Sequence, residues 1–146
     1  MRLPFTHLLA SADRKRIVAA IQAAEQMTSG EIRVHVQLRC SDDPVRDATR
    51  VFERLGMTRT AARNGVLIFL AVRDRRFAVI GDTGIHAAVG EIFWQKTADA
   101  MQPHFVRNEL SAGLEAGVLA VGAALQRHFP HQRNDANELP DAISEG

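Results

Sequence analysis

The sequence predicts an α/β protein: a small mixed sheet, with a parallel pair joined by a helical crossover and an antiparallel hairpin strand, flanked by helices. Three observations carry this. Ile32, Val34, Val36 and Leu38 alternate with Glu31, Arg33, His35, Gln37 and Arg39, the period-two pattern of a strand with one covered face, placed at or near a sheet edge. Gly65 to Val72 is apolar on both alternating sets, as a central strand covered on both faces must be. The intervening and flanking segments repeat their apolar residues at helical spacing.

The elements follow in order. Residues 11 to 27 read as a helix, capped by Ser11 and apolar along Ile17, Val18, Ile21 and Ala24, and Thr28-Ser29-Gly30 ends it. The alternating strand starts at Glu31. Ser41-Asp42-Asp43-Pro44 turns the chain and opens a second helix to about Leu55, with proline at its first position and a buried stripe of Val45, Ala48, Val51, Phe52 and Leu55. After the central strand, Arg73-Asp74-Arg75 turns the chain into a third strand from Arg76 to Gly81. Asp82-Thr83-Gly84 leads into a short helical turn. A helix from Glu91 to about Arg107 carries Phe93, Thr97, Met101 and Phe105, and the last runs from Leu110 to His128 with Leu114, Val118, Val121 and Leu125 inward. Gly113, Gly117 and Ala124 let that helix lie close to a neighbour, and Pro130 stops it. A strand-helix-strand crossover makes the first two strands parallel, and the hairpin makes the third antiparallel.

At 146 residues there is room for one core: a domain over residues 1–130 and a polar, acidic tail over 131–146, which docks, if it docks, through Leu139 and Ile143. With 46% hydrophobic and 24% charged residues the chain is neither disordered nor fibrous. Its longest apolar run, Val66 to Val72, is far short of the roughly 20 residues that span a bilayer. The N-terminus makes a poor signal peptide, so the expected compartment is the cytoplasm. The lone cysteine, Cys40, offers neither a disulfide nor a thiolate metal site.

A run of short motifs resembles the TPM domain family: Thr28-Ser29-Gly30-Glu31-Ile32-Arg33-Val34, Thr60 with Asn64-Gly65-Val66-Leu67-Ile68, Asp74-Arg75-Arg76, and Gly81-Asp82-Thr83-Gly84-Ile85. It continues through Trp94, Met101 to Phe105, Gly113 to Gly117, His128-Phe129-Pro130 and Asn137-Glu138-Leu139-Pro140-Asp141. The resemblance implies an α/β/α sandwich around a mixed sheet, in agreement with the elements read above. The family includes thylakoid-lumen proteins of photosystem II repair, with proposed acid phosphatase activity and divalent-cation binding, and an accessory protein of acetylcholine receptors. Many members carry a signal peptide or a membrane helix near the C-terminus, and neither pattern is expected here.

Topology places candidate chemistry at one end of the sheet. Parallel first and second strands put Glu31 beside Asn64-Gly65, and the antiparallel third strand finishes there at Asp82. Two carboxylates and an amide oxygen, with the Thr28 and Thr83 hydroxyls alongside, are hard donors that suit Ca²⁺ or Mg²⁺. The candidate metal set is Glu31, Asn64, Asp82 and Thr83. The plainer alternative makes Glu31 and Asp82 helix-end caps and Asn64 a turn residue. The opposite end gathers Asp42, Asp43 and Asp74, a second candidate with the same alternative. His7, His35, His86, His104, His128 and His131 show no firm zinc spacing, and Phe93 and Trp94 read as core. Arg46, Arg50, Arg54, Arg59 and Arg63 form a possible anion or nucleic-acid band, although Asp47 and Glu53 interrupt it and a solvated helix face explains it more simply. The reading is a divalent-cation-binding accessory domain that contacts another protein. A weak metal-assisted phosphatase and binding of anions or nucleic acid are the alternatives, and no catalytic residue is assigned.

Overall fold

The computed structural model describes residues 8–131 and 143–146. The elements are α1 (Ser11–Glu25), β1 (Glu31–Gln37), α2 (Pro44–Arg54), β2 (Gly65–Ala71), β3 (Arg76–Gly81), α3 (Thr83–Val89), α4 (Glu91–Val106), α5 (Leu110–His128) and β4 (Ile143–Glu145). They form a mixed, open four-stranded sheet in the order β3-β2-β1-β4. β1 runs parallel to β2 and to β4, and β3 is antiparallel to β2.

Alternation along β2 explains the three layers. Val66, Ile68 and Leu70 join Ile17, Ile21, Met101, Leu114, Val118 and Leu125 in a core under α1, α4 and α5, while Leu67, Phe69 and Ala71 join Ala48, Val51, Phe52 and Met57 under α2. Burying both faces of one strand is what makes its sequence continuously apolar. Small residues set the spacing of α4 on α5, because a Cβ at Gly113 would stand 2.4 Å from the Phe105 ring and one at Gly117 2.7 Å from the Met101 sulfur.

Three expectations are corrected. β1 lies near the sheet edge as expected, one strand in because Ile143–Glu145 adds β4 beside it, but its second face is covered too, and His35 is buried where a solvated face was expected. Ser11 is the first helical residue; the cap position falls on Ala10, which makes no side-chain capping bond. Val45 is 54% exposed, because only Ala48, Val51 and Phe52 of α2 turn onto the sheet. Of the docking points expected in the tail, Ile143 is a buried strand residue and Leu139 lies outside the described residues. Glu145 ties β4 to the first layer by accepting from the Leu8 amide at 2.9 Å and from Arg14 at 2.7 Å. Among the described residues no helix is long and apolar enough to cross a membrane.

Candidate functional site

Strand register builds the corner. Glu31 lies opposite Gly65, and the Asp82 amide donates to the Gly65 carbonyl at 2.9 Å, so the ends of three adjacent strands stand in one row. With strands about 4.8 Å apart, the α-carbons of Glu31 and Asp82 are about 10 Å apart, with Gly65 between them. By alternation Glu31, Gly65 and Asp82 share the face that α2 covers. Gly65 leaves room there for the turn after α2, and a Cβ at that position would stand 3.1 Å from the Met57 carbonyl oxygen.

The loop from Met57 to Asn64 delivers the amide. Thr60 is buried and its hydroxyl accepts from the Asn64 amide at 3.2 Å, while Arg63 donates its own amide to the Thr60 carbonyl and takes a positive φ of 52°. This winding turns Asn64 inward until only 1% of it is exposed. Its Nδ2 donates to Ser29 Oγ at 3.3 Å, and its Oδ1 is buried with no hydrogen-bond partner among the described residues. A buried acceptor left without a donor costs roughly 1–3 kcal/mol, so a native structure keeps one only for a reason.

Asp82 is buried and its oxygens are engaged. Oδ1 accepts from the Thr83 amide at 2.7 Å, capping α3, and from Arg63 Nη2 at 2.8 Å; Oδ2 accepts from Arg63 Nε at 2.6 Å. This two-pronged bond, with the added attraction of the carboxylate, raises the Arg63 pKa above its ordinary value. The Arg63 side chain is 46% exposed whereas that of Asp82 is 4% exposed. The carboxylate is therefore enclosed, while the cation facing it lies half in solvent.

The structure brings Glu31, Asn64 and Asp82 to one end of the sheet, as the topology requires. Thr83 follows as the exposed first residue of α3. Thr28 stands apart: its hydroxyl donates to the Leu125 and Phe129 carbonyls and accepts from the Gly30 amide, fastening the end of α5 to the entry of β1. Sequence reasoning placed Arg63 in the basic band and missed it as the partner of Asp82; it quoted Thr60 and Ser29 among the motifs without giving them a part in the site, because all three act through a loop conformation that no spacing announces. Next along the same face of β1, Arg33 buries its Nε without a partner among the described residues, and burial lowers its pKa.

At the opposite end the acids are occupied by the backbone. Asp43 Oδ1 caps α2 through the Val45 and Arg46 amides, Asp74 accepts from the Cys40 amide at 2.8 Å, and Asp42 is fully exposed at 3.4 Å from Arg76. Burial raises the Cys40 thiol above its ordinary pKa, so it is not an activated nucleophile. His35 is held between Ser144 Oγ and Gln37 Oε1 at 2.8 and 2.9 Å, and His86 accepts from the Trp94 indole. Trp94 and Phe93 pack edge to face, and Trp94 covers Gly81. Arg46, Arg50, Arg54 and Arg59 are exposed, while Arg63 leaves that band for Asp82. No group of three or more His, Cys, Asp or Glu placed to hold a metal occurs among the described residues, so any cation here depends on neutral oxygens as well as on the two carboxylates.

A family model described as the TPM domain matches residues 4–124. The solution NMR structure of BA42 from the psychrophilic bacterium Bizionia argentinensis is 41% identical, covers 97% of this chain and 98% of that one, and superposes with a TM-score of 0.89. The N-terminal domain of a P. gingivalis protein, at 24% identity and TM-score 0.67, covers 86% of this chain and 83% of that one. The N-terminal domain of cg2496 from Corynebacterium glutamicum, at 22% identity and TM-score 0.61, covers 83% and 76%. These last two share the fold. No curated protein matches.

Proposed function

Because this chain belongs to the TPM domain family, we propose that it is a divalent-cation-binding accessory domain that contacts another protein, and that the corner of Glu31, Asn64 and Asp82 takes the cation. The observation that carries the reading is the Asn64 Oδ1, buried without a donor beside two buried carboxylates. A carbonyl oxygen in that situation wants a positive partner, and a hard cation is one that needs no proton.

Glu31, Asn64 and Asp82 would hold the ion, with Thr83 at the rim. Ca²⁺ or Mg²⁺ would supply a fixed positive charge and organise the loop from Met57 to Asn64 against the sheet. In its absence the Arg63 guanidinium neutralises Asp82, so binding exchanges one cation for another. Because Arg63 is half in solvent, its departure restores hydration to the guanidinium and strands no buried charge.

A thermal-unfolding titration with Ca²⁺ and with Mg²⁺ tests this, since a ligand that binds only the folded state stabilises it by mass action. At one hundred times Kd the gain is about 2.7 kcal/mol, roughly 5–10 °C for a domain of this size. The wild type should show the rise and Asp82→Asn should not. The absence of any rise with millimolar Ca²⁺ or Mg²⁺ in the wild type would remove the cation reading.

A further inference from the structure

β3 is the outermost strand of the sheet, and its free edge is unlike the other one. At the far side β4 has three residues and ends on a charged one, the kind of edge that resists pairing. β3 has six, and between Arg76 and Asp82 none is charged and none is proline. The bond from the Asp82 amide to the Gly65 carbonyl fixes which groups face outward. Asp82, Ile80, Ala78 and Arg76 bond back to β2, so the amides and carbonyls of Phe77, Val79 and Gly81 point away from the sheet. They have no partner among the described residues.

The edge lies in a shallow groove of about 470 Å³ whose lips are Val45 of α2 on one side and Glu91, Ile92 and Gln95 of α4 on the other. Val45 is 54% exposed and Ile92 71%, two large aliphatic side chains set beside a row of unmet backbone groups. Evenly spaced donors and acceptors on alternate residues are met by another extended strand.

The sequence of β3 says which strand. When two copies of β3 run antiparallel with Val79 opposite Val79, Phe77 falls opposite Gly81 and Arg76 opposite Asp82, at both ends by symmetry. Every outward amide then meets an outward carbonyl. From Phe77 to Gly81 the paired stretch carries no charge and no proline, so no like charges face each other along it, while Asp82 stays bonded to Arg63 and Trp94 stays over Gly81. The twofold axis passes midway between the two Val79 residues, perpendicular to the sheet, so it brings α2 against α2 on one face and α4 against α4 on the other, with Val45 and Ile92 at the seams. We infer that the β3 edge is the site at which a second copy of this chain adds to the sheet, making one continuous eight-stranded sheet across a twofold axis. This does not rest on the cation reading: a failed cation titration leaves it standing, and a monomeric chain leaves the cation reading standing.

Sedimentation equilibrium of the whole chain over a micromolar-to-millimolar series tests it, paired with amide hydrogen exchange of Phe77, Val79 and Gly81. The expected result is a mass that doubles with concentration, with these three amides protected in the dimer and unprotected on dilution. Ile92→Glu and Val45→Glu change exposed residues and should keep the fold, checked by circular dichroism, while shifting the dimer dissociation constant at least tenfold. A monomer mass throughout with fast exchange at the three amides would overturn the inference and leave the edge to a strand of a different protein. A dimer indifferent to both substitutions would overturn it equally, since its contact would lie elsewhere.

Discussion

The two ends of the sheet hold the same kinds of residue in different states. Asp42, Asp43 and Asp74 gather at one end, and Glu31, Asn64 and Asp82 at the other. At the first end, Asp43 and Asp74 accept from backbone amides and Asp42 stands in solvent. Backbone partners cannot leave without unwinding a helix or a turn, so those acids are structural. At the second end the main partner of Asp82 is a half-exposed arginine, and the neighbouring amide oxygen of Asn64 is buried without a donor. On the proposed reading, what separates the two ends is whether the partners of the acids are removable, and acidic clustering is common to both.

Substitutions sharpen the contrast, the largest effect first. Gly84 packs so closely under the loop that a Cβ would stand 2.1 Å from the Ala62 carbonyl oxygen and 2.7 Å from that of Arg63, both backbone atoms. Gly84→Ala should cost about 1–3 kcal/mol by overpacking, read by urea unfolding. It should also displace Arg63 from Asp82, changing the second end and not the first. A smaller effect is expected at the first end: Asp43→Ala removes the α2 cap and should cost about 1 kcal/mol, with any Ca²⁺-induced rise in melting temperature unchanged. A dependence of that rise on Asp43 would break the distinction between the two ends.

The smallest effect concerns the strand between the ends. Burial lowers the His35 pKa, with Arg54 and Arg33 acting in the same direction, and Gln37 and Glu145 opposing. The folded protein thus prefers neutral His35, while the unfolded chain takes its proton near pH 6.5. The associated stability is complete above about pH 6.5 and is lost as pH falls from there through the lower folded value. Because His35 bonds Ser144, the loss should appear first as faster exchange of the β4 amides, and His35→Gln should flatten it.

Most of the fold was legible in the sequence because it follows from local pattern. Gly65 to Val72 announced a doubly covered strand, Pro44 after Asp43 announced a capped helix, and the polar turn at Arg73 to Arg75 announced the hairpin. The strand beside β1 was not legible, since β4 is only the three residues Ile143–Glu145, with no strand pattern of its own. Val45 was misread because helical spacing shows which residues share a face but not where the helix overhangs the sheet. The corner of Glu31, Asn64 and Asp82 followed from topology alone. Arg63 did not, because its pairing depends on a positive φ in a loop and on a side chain turning back toward a residue 19 positions ahead.

The central claim is that Arg63 holds the place of a divalent cation at Asp82. Calorimetric titration of Ca²⁺ and Mg²⁺ into the wild type and Arg63→Gln tests it most directly. Removing the competing guanidinium should tighten binding by about tenfold, equivalent to about 1.4 kcal/mol. Unchanged or weaker binding in Arg63→Gln, or no heat of binding in either protein, would contradict it.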